Sequence, residues 1–277
     1  MAVKMRRAIV EERVLQLGEV KYADLARELE VSEMTIRRDI ERLEERGVAR
    51  RVTGGAIAVT RKVDEPSFQT RLTDAMTGKS HIADAVVEML LPGETVILDS
   101  GSTVLAVARA LRGRDLGLTV ITPSILAAVE LSEEPGTTVI VTGGELRTGE
   151  LSLVGPDAAE TFAKYNADTY VAGVAGVDPE RGLSDYHRGE SAVKKAAMSG
   201  SDRVIVAVDS SKLGRSTLVN IAPASSADVI ICDAADDDPI VLDLRRQGID
   251  VICIENSDAV PDQGTDVRQA PEASTVG

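Results

Sequence analysis

Ser32-Glu33-Met34-Thr35-Ile36-Arg37-Arg38-Asp39-Ile40-Glu41-Arg42-Leu43 carries the period of a helix. Ile36, Ile40 and Leu43 fall on one stripe at about 100° per residue, which turns Met34, Thr35, Arg37, Arg38 and Arg42 outward or sideways. Ser32 is a good N-cap and Glu33 suits the positive end of the helix, which is expected to run to about Arg46 and stop at Gly47. Upstream, Tyr22, Leu25, Ala26 and Leu29 repeat the helical spacing, and so do Val10, Val14 and Leu17. The three-residue turn Glu30-Val31-Ser32 joins the second helix to the third. Downstream, residues 48–52 and 56–59 flank Thr53-Gly54-Gly55 and predict a short hairpin.

The major groove of a DNA duplex admits one α-helix whose first turns reach base edges while flanking arginines hold phosphates. Ser32, Met34, Thr35, Arg37, Arg38 and Arg42 are therefore candidate contacts of a recognition helix, with Arg50 and Arg51 on a hairpin placed as its wing. A three-helix unit with charged faces also occurs as a plain packing unit. Spacing, turn length, cap, arginine cluster and hairpin together favour double-stranded operator DNA as the partner.

These residues, followed by Leu43-Glu44, Gly47 and Arg50-Arg51-Val52-Thr53-Gly54-Gly55-Ala56, resemble the N-terminal signature of DeoR-type bacterial transcriptional regulators. Lys21 stands where that family usually has a Ser or Thr cap, and Thr53 where it usually has His. A lysine accepts no helix N–H bond, so the second helix is expected to lose about 1 kcal/mol at its start.

Charge divides along the chain. Residues 1–62 hold 14 basic against 11 acidic side chains, whereas the chain as a whole has a net charge of −14. A small basic head thus precedes a large acidic body that a polyanion would repel. With 277 residues and 43% apolar content, two packed domains are expected. The boundaries read as a winged helix-turn-helix at 1–60, a linker at 61–76, an effector-binding domain at 77–256 and a disordered tail at 257–277. Neither an apolar run of about 20 residues nor an export signal is present, so a cytoplasmic location and no membrane partner are expected. Cys232 and Cys253, far apart in sequence and each inside an apolar run, read as buried free thiols.

Strand-like runs recur at 95–98, 118–121, 138–141, 169–174, 204–208, 229–231 and 251–254, separated by segments of helical character. That alternation predicts an α/β body, a largely parallel sheet covered on both faces. Polar residues gather just after the runs, where an open parallel sheet lines its ligand crevice. Asp99-Ser100-Gly101-Ser102-Thr103 combines a permissive glycine, hydroxyls and a helix start, the makings of a phosphate cradle, although it also reads as an ordinary capped connection. Thr122, Gly143 and Gly144 follow the next runs. Lys79 and Lys212 are expected to add positive charge, and Asp99 and Asp209 to accept hydrogen bonds from sugar hydroxyls.

Asp99–Thr103, Thr142-Gly143-Gly144-Glu145-Leu146, Leu153-Val154-Gly155, Gly182-Leu183-Ser184, Glu190 with Lys194-Lys195-Ala196, and Asp209-Ser210-Ser211-Lys212 extend the resemblance to the DeoR-type effector domain. Pro123 replaces an Asn common in that family. The resemblance implies a fold similar to ribose-5-phosphate isomerase and a phosphorylated sugar or related metabolite as effector. It also implies a homo-oligomer that acts as a regulator, usually a repressor. Read without it, Glu190, Lys194 and Lys195 form a solvated helical ion pair, and His187 sits in a polar loop. Gly173-Val174-Ala175-Gly176 lacks the setting of a dinucleotide fingerprint, and no metal or cofactor is expected. A sugar-phosphate isomerase with an accessory DNA-binding head is the alternative, since Asp99, Asp209, Glu190 and Lys212 supply acids and bases.

Overall fold

The computed structural model describes residues 6–7, 9–11, 13–14, 19–29, 31–45, 48–58 and 65–254. Leu17, Arg46, Gly47 and the tail expected at 257–277 lie outside them. The chain divides into two compact units, Met1–Pro66 and Ser67–Gly277.

In the first unit, strand β1 (Glu19–Lys21) leads directly into helix α1 (Tyr22–Glu28), followed by α2 (Glu33–Glu45) and the hairpin β2 (Ala49–Val52) and β3 (Gly55–Ala58). Val10, Val14, Tyr22, Leu25, Leu29, Ile36, Ile40 and Leu43 close one core, which is the set of stripes that helical spacing predicts. Strand β1 lacks a sequence signal of its own. It pairs antiparallel with β3, giving the order β1-β3-β2. Lys21 precedes α1 and makes no side-chain cap bond; the Tyr22 N–H donates instead to the Gly54 carbonyl at 3.0 Å. Gly54 has φ +79°, a left-handed conformation that glycine adopts at little cost. At Gly55, a Cβ would collide with the Val20 carbonyl oxygen of β1.

The second unit runs α3 (Phe68–Thr73), α4 (Met76–Glu88), β4 (Thr95–Leu98), α5 (Ser102–Ala110), β5 (Thr119–Thr122), α6 (Ile125–Leu131) and β6 (Thr138–Val141). It continues through β7 (Glu145–Arg147), β8 (Ser152–Val154), α7 (Pro156–Phe162), β9 (Ala167–Ala172), β10 (Gly176–Asp178), β11 (Gly182–Asp185) and α8 (Arg188–Ser199). It closes with β12 (Ser201–Ala207), β13 (Val219–Ala222), β14 (Val229–Cys232), α9 (Pro239–Arg246) and β15 (Asp250–Cys253). The first of these helices corrects the expected linker: α3 belongs to the body, with Phe68 buried at its start and Ser67 as its N-cap.

Seven strands form one wholly parallel sheet in the order β15-β14-β12-β9-β4-β5-β6. Strand residues alternate between two cores because side chains alternate along a strand. Val96 and Leu98 pack with Ile82, Val86, Val104 and Leu131 on one face. Ile97 packs with Phe162, Val193, Val241 and Leu244 on the other. From β4 the chain builds outward through β5 to β6, and from β9 it builds the opposite way, so the order reverses between β4 and β9. The small sheets β7-β8 and β10-β11-β13, both antiparallel, are additions that the strand-like runs do not announce.

Gly55→Ala is expected to destabilise the first unit by about 2 kcal/mol, because a β-carbon must push two paired strands apart. Thermal unfolding of the full chain by circular dichroism checks this; an unchanged first transition would refute the close approach.

Candidate functional site

On α2, the Ser32 hydroxyl accepts the Thr35 N–H at 3.2 Å and lies 2.9 Å from the Thr35 hydroxyl, so both candidates are tied into the helix cap. Met34 is 55% exposed, a large apolar side chain offered to solvent at the helix start. Arg37 lies over the Tyr22 ring at 5.4 Å. Arg38, Arg42 and Arg50 are exposed and have no ion-pair partner among the described residues. Arg51 is engaged at the surface. It pairs with Glu41 at 2.8 Å and Glu44 at 2.6 Å, bracing the hairpin against α2.

Asp39, inside the recognition stretch, faces the core. It is 2% exposed and takes Arg6 at 2.7 Å and Arg7 at 2.9 Å. Burial pushes its carboxyl up, but the hydrogen bonds and charges of the two arginines outweigh burial and hold it below the usual carboxylate range.

The second candidate lies where the sheet order reverses. Asp99, at the end of β4, is 2% exposed with both carboxylate oxygens engaged. Oδ1 accepts the Ser100 N–H at 2.8 Å, and Oδ2 accepts the Gly173 N–H at 3.1 Å and the Lys194 ammonium at 2.6 Å. The Lys194 Nζ also donates to the Gly173 carbonyl at 2.8 Å and lies 3.5 Å from Asp185. These contacts give Asp99 a structural task and correct one expectation. Asp99 clasps the ends of β4 and β9 together, and both of its oxygens already accept from protein groups. Lys194 is 3% exposed and Glu190 6%, so neither belongs to a solvated ion pair; only Lys195 is exposed. Glu190 takes Arg147 of β7 at 2.5 Å and the Ser152 hydroxyl of β8 at 2.6 Å. Burial lowers the Lys194 pKa in isolation, but Asp99, Asp185 and Glu190 overcome it and hold the ammonium firmly charged.

The expected cradle stretch spans the end of β4 and the start of α5. Gly101, at φ +119°, is the N-cap of α5 and supplies no side-chain acceptor for the first-turn amides. Ser102 and Thr103 are buried at that helix start, and Ser100 is half-buried. Ser102 and Lys79 line one cleft of about 360 Å³ with Leu72, Met76 and Arg109. Lys79 is engaged: its ammonium donates to the Arg71 and Asp74 carbonyls and closes the end of α3. Asp209 is 5% exposed and accepts from the Ser211 N–H and hydroxyl, with Lys212 at 3.8 Å. Burial lowers the Lys212 pKa; Asp209 opposes this, while Arg215 and Arg71 add to it.

The other expected loop residues divide. Thr122 is fully buried and its hydroxyl accepts the Ser124 N–H at 3.0 Å, which shapes the turn. Gly143 and Gly144 are exposed, and a Cβ at Gly144 would strike the Val154 carbonyl. His187 caps α8 through Nδ1, accepting the Glu190 N–H at 3.3 Å. Thr142 has a buried hydroxyl without a partner among the described residues.

A winged helix-turn-helix unit followed on the same chain by a parallel α/β unit is the build of a transcriptional regulator with a sensor domain. Residues 6–62 match the model of the DeoR-like helix-turn-helix domain and residues 74–234 that of the DeoR C terminal sensor domain. The chain belongs to the DeoR family. It is 34% identical over 228 residues to the HTH-type transcriptional regulator GlpR of Haloferax volcanii, covering 82% of this chain and 89% of that one. It is 31% identical over 223 residues to the glycerol-3-phosphate regulon repressor of Escherichia coli, covering 80% and 88%. Among solved structures, ribose 5-phosphate isomerase A of Methanocaldococcus jannaschii aligns at 19% identity and a TM-score of 0.37, over 49% of this chain and 53% of that one. No helix among the described residues is long and apolar enough to cross a membrane.

Burial pushes the Asp185 carboxyl up to about 6 against the opposing charge of Lys194. A raised acid contributes stability below its ordinary pKa and loses it as pH climbs through 6. Asp185→Asn stays neutral, so its stability relative to wild type is expected to rise by roughly 2 kcal/mol from pH 4 to pH 7. Urea unfolding at both pH values measures it, and a constant difference would refute the buried, titrating carboxyl. Lys194→Ala, which strands Asp99 without a counter-charge, is expected to lose about 3–5 kcal/mol in the same assay.

Proposed function

We propose that this protein is a repressor that binds paired operator half-sites as a homo-oligomer and is gated by a phosphorylated sugar or related metabolite at the start of α5. The observation that carries the reading is the local charge and hydrogen-bond pattern there. Lys79, Lys212, Arg71 and Arg215 outnumber the neighbouring carboxylates of Asp209, Asp74 and Glu150, and Lys79 shares a cleft with Ser102 at a helix start that has no side-chain cap. An anion relieves cation crowding and satisfies free helix amides. The name of the Escherichia coli relative, which carries glycerol 3-phosphate, supports the same chemical class.

Sensing rather than turnover fits the state of the acids and bases. Asp99, Glu190 and Lys194 are buried in bonds with protein groups, whereas isomerisation requires an acid and a base within reach of the sugar. On the DNA side, Arg38, Arg42 and Arg50 are the cations for the duplex, with Met34 at the base edges.

Fluorescence anisotropy on a labelled duplex from the protein's own promoter region tests the reading. Arg38→Ala is expected to weaken binding about tenfold at fixed salt and to leave metabolite binding intact. A panel of sugar phosphates is expected to raise the melting temperature of the wild type and to release DNA. Ser102→Asp, which places a negative charge in the cradle, is expected to abolish both responses while DNA binding persists. Equal shifts with unphosphorylated sugars would overturn the phosphate assignment, and turnover of ribose 5-phosphate would favour the enzyme.

A further inference from the structure

The two cysteines of the chain, distant in sequence, are neighbours in the fold. Strands β14 and β15 pair in parallel with Cys232 opposite Cys253, and the sulfur atoms lie 3.9 Å apart. Adjacent strands run about 4.8 Å apart, inside the Cα range of about 4.4–6.8 Å that disulfides tolerate. Cys232 is fully buried beneath α9, while Cys253 is partly exposed. The Arg245 guanidinium lies 3.8 Å from the Cys253 sulfur and is held there by Asp236 at 2.7 Å and the Val251 carbonyl at 2.7 Å. These observations give one reachable thiol beside a fixed cation, with a second thiol behind it.

We propose that Cys232 and Cys253 form an oxidisable dithiol that closes to an intramolecular disulfide by exchange with a small disulfide such as oxidised glutathione. The Cys253 thiolate attacks one glutathione sulfur, breaks the S–S bond and releases one glutathione, leaving a mixed disulfide. The Cys232 thiolate then attacks the Cys253 sulfur and expels the second glutathione. The two thiol protons leave with the two glutathiones: the protein loses two electrons and the small disulfide gains them. Burial pushes the Cys253 thiol up to about 12, and the neighbouring Cys232 adds to this while Arg245 opposes it. Cys232 is raised by burial, and the charges of Asp233 and Asp238 add to this. The exchange is therefore slow at neutral pH and speeds up by about tenfold per pH unit below 12.

Intact-mass spectrometry of the reduced full-length chain, incubated with oxidised glutathione at graded pH and then alkylated, tests the proposal. The expected product has lost two hydrogens, about 2 Da, takes up no alkylating agent, runs as a single chain on a non-reducing gel and reverts with dithiothreitol. Cys232→Ser is expected to stop at one glutathione on Cys253, and Cys253→Ser to remain unmodified. Persistent glutathione on the wild type, two alkylatable thiols after incubation at high pH, or disulfide-linked dimers would each overturn it.

Discussion

One buried ammonium holds the mouth of the sheet together. In a parallel sheet whose order reverses between β4 and β9, the two central strands end side by side and their following loops depart in opposite directions. The polar groups left at those ends must be paired without water. Lys194 meets this requirement from α8, bonding to Asp99 and to the Gly173 carbonyl, while Asp99 in turn takes the Gly173 and Ser100 amides. A lone buried charge costs several kcal/mol, and here each member is compensated by the others. The loop that follows β4 is thereby set in place by a buried group on a different element.

The same economy of charge holds in the first unit. Of its described arginines, Arg6 and Arg7 neutralise Asp39 beneath the recognition helix, and Arg51 is braced by Glu41 and Glu44. Those pairs fix the position of α2 and its hairpin. Arg38, Arg42 and Arg50 are exposed and have no ion-pair partner among the described residues. Residues 1–62 carry them on a chain whose overall balance is strongly acidic.

The periodic elements were legible because a single residue pattern determines them. Ile36, Ile40 and Leu43 had one inward stripe to form, and apolar runs such as Val229–Cys232 could be satisfied only by a strand buried on both faces. The short sheets were not legible: β1 is three residues long and exists because β3 pairs with it, a long-range event without a local signature. Side-chain roles at the crevice were legible by location but not by partner. Spacing marked Glu190 and Lys194 as one turn apart on a helix, yet which of them meets Asp99 depends on how α8 lies across the sheet. Lys79 was visible as a cation near the cradle, whereas its task of closing α3 depended on a helix that the Pro66 break concealed.

The Gly54 carbonyl has a practical consequence for anyone cutting this protein into pieces. It stands in for the missing cap of α1, and the strand that carries Gly55 is stitched to β1, which leads into the same helix end. A fragment trimmed after Glu45, the conventional end of a bare helix-turn-helix, would lose the acceptor for the α1 start and leave β1 with an open edge. The smallest autonomous head must extend through Ala58.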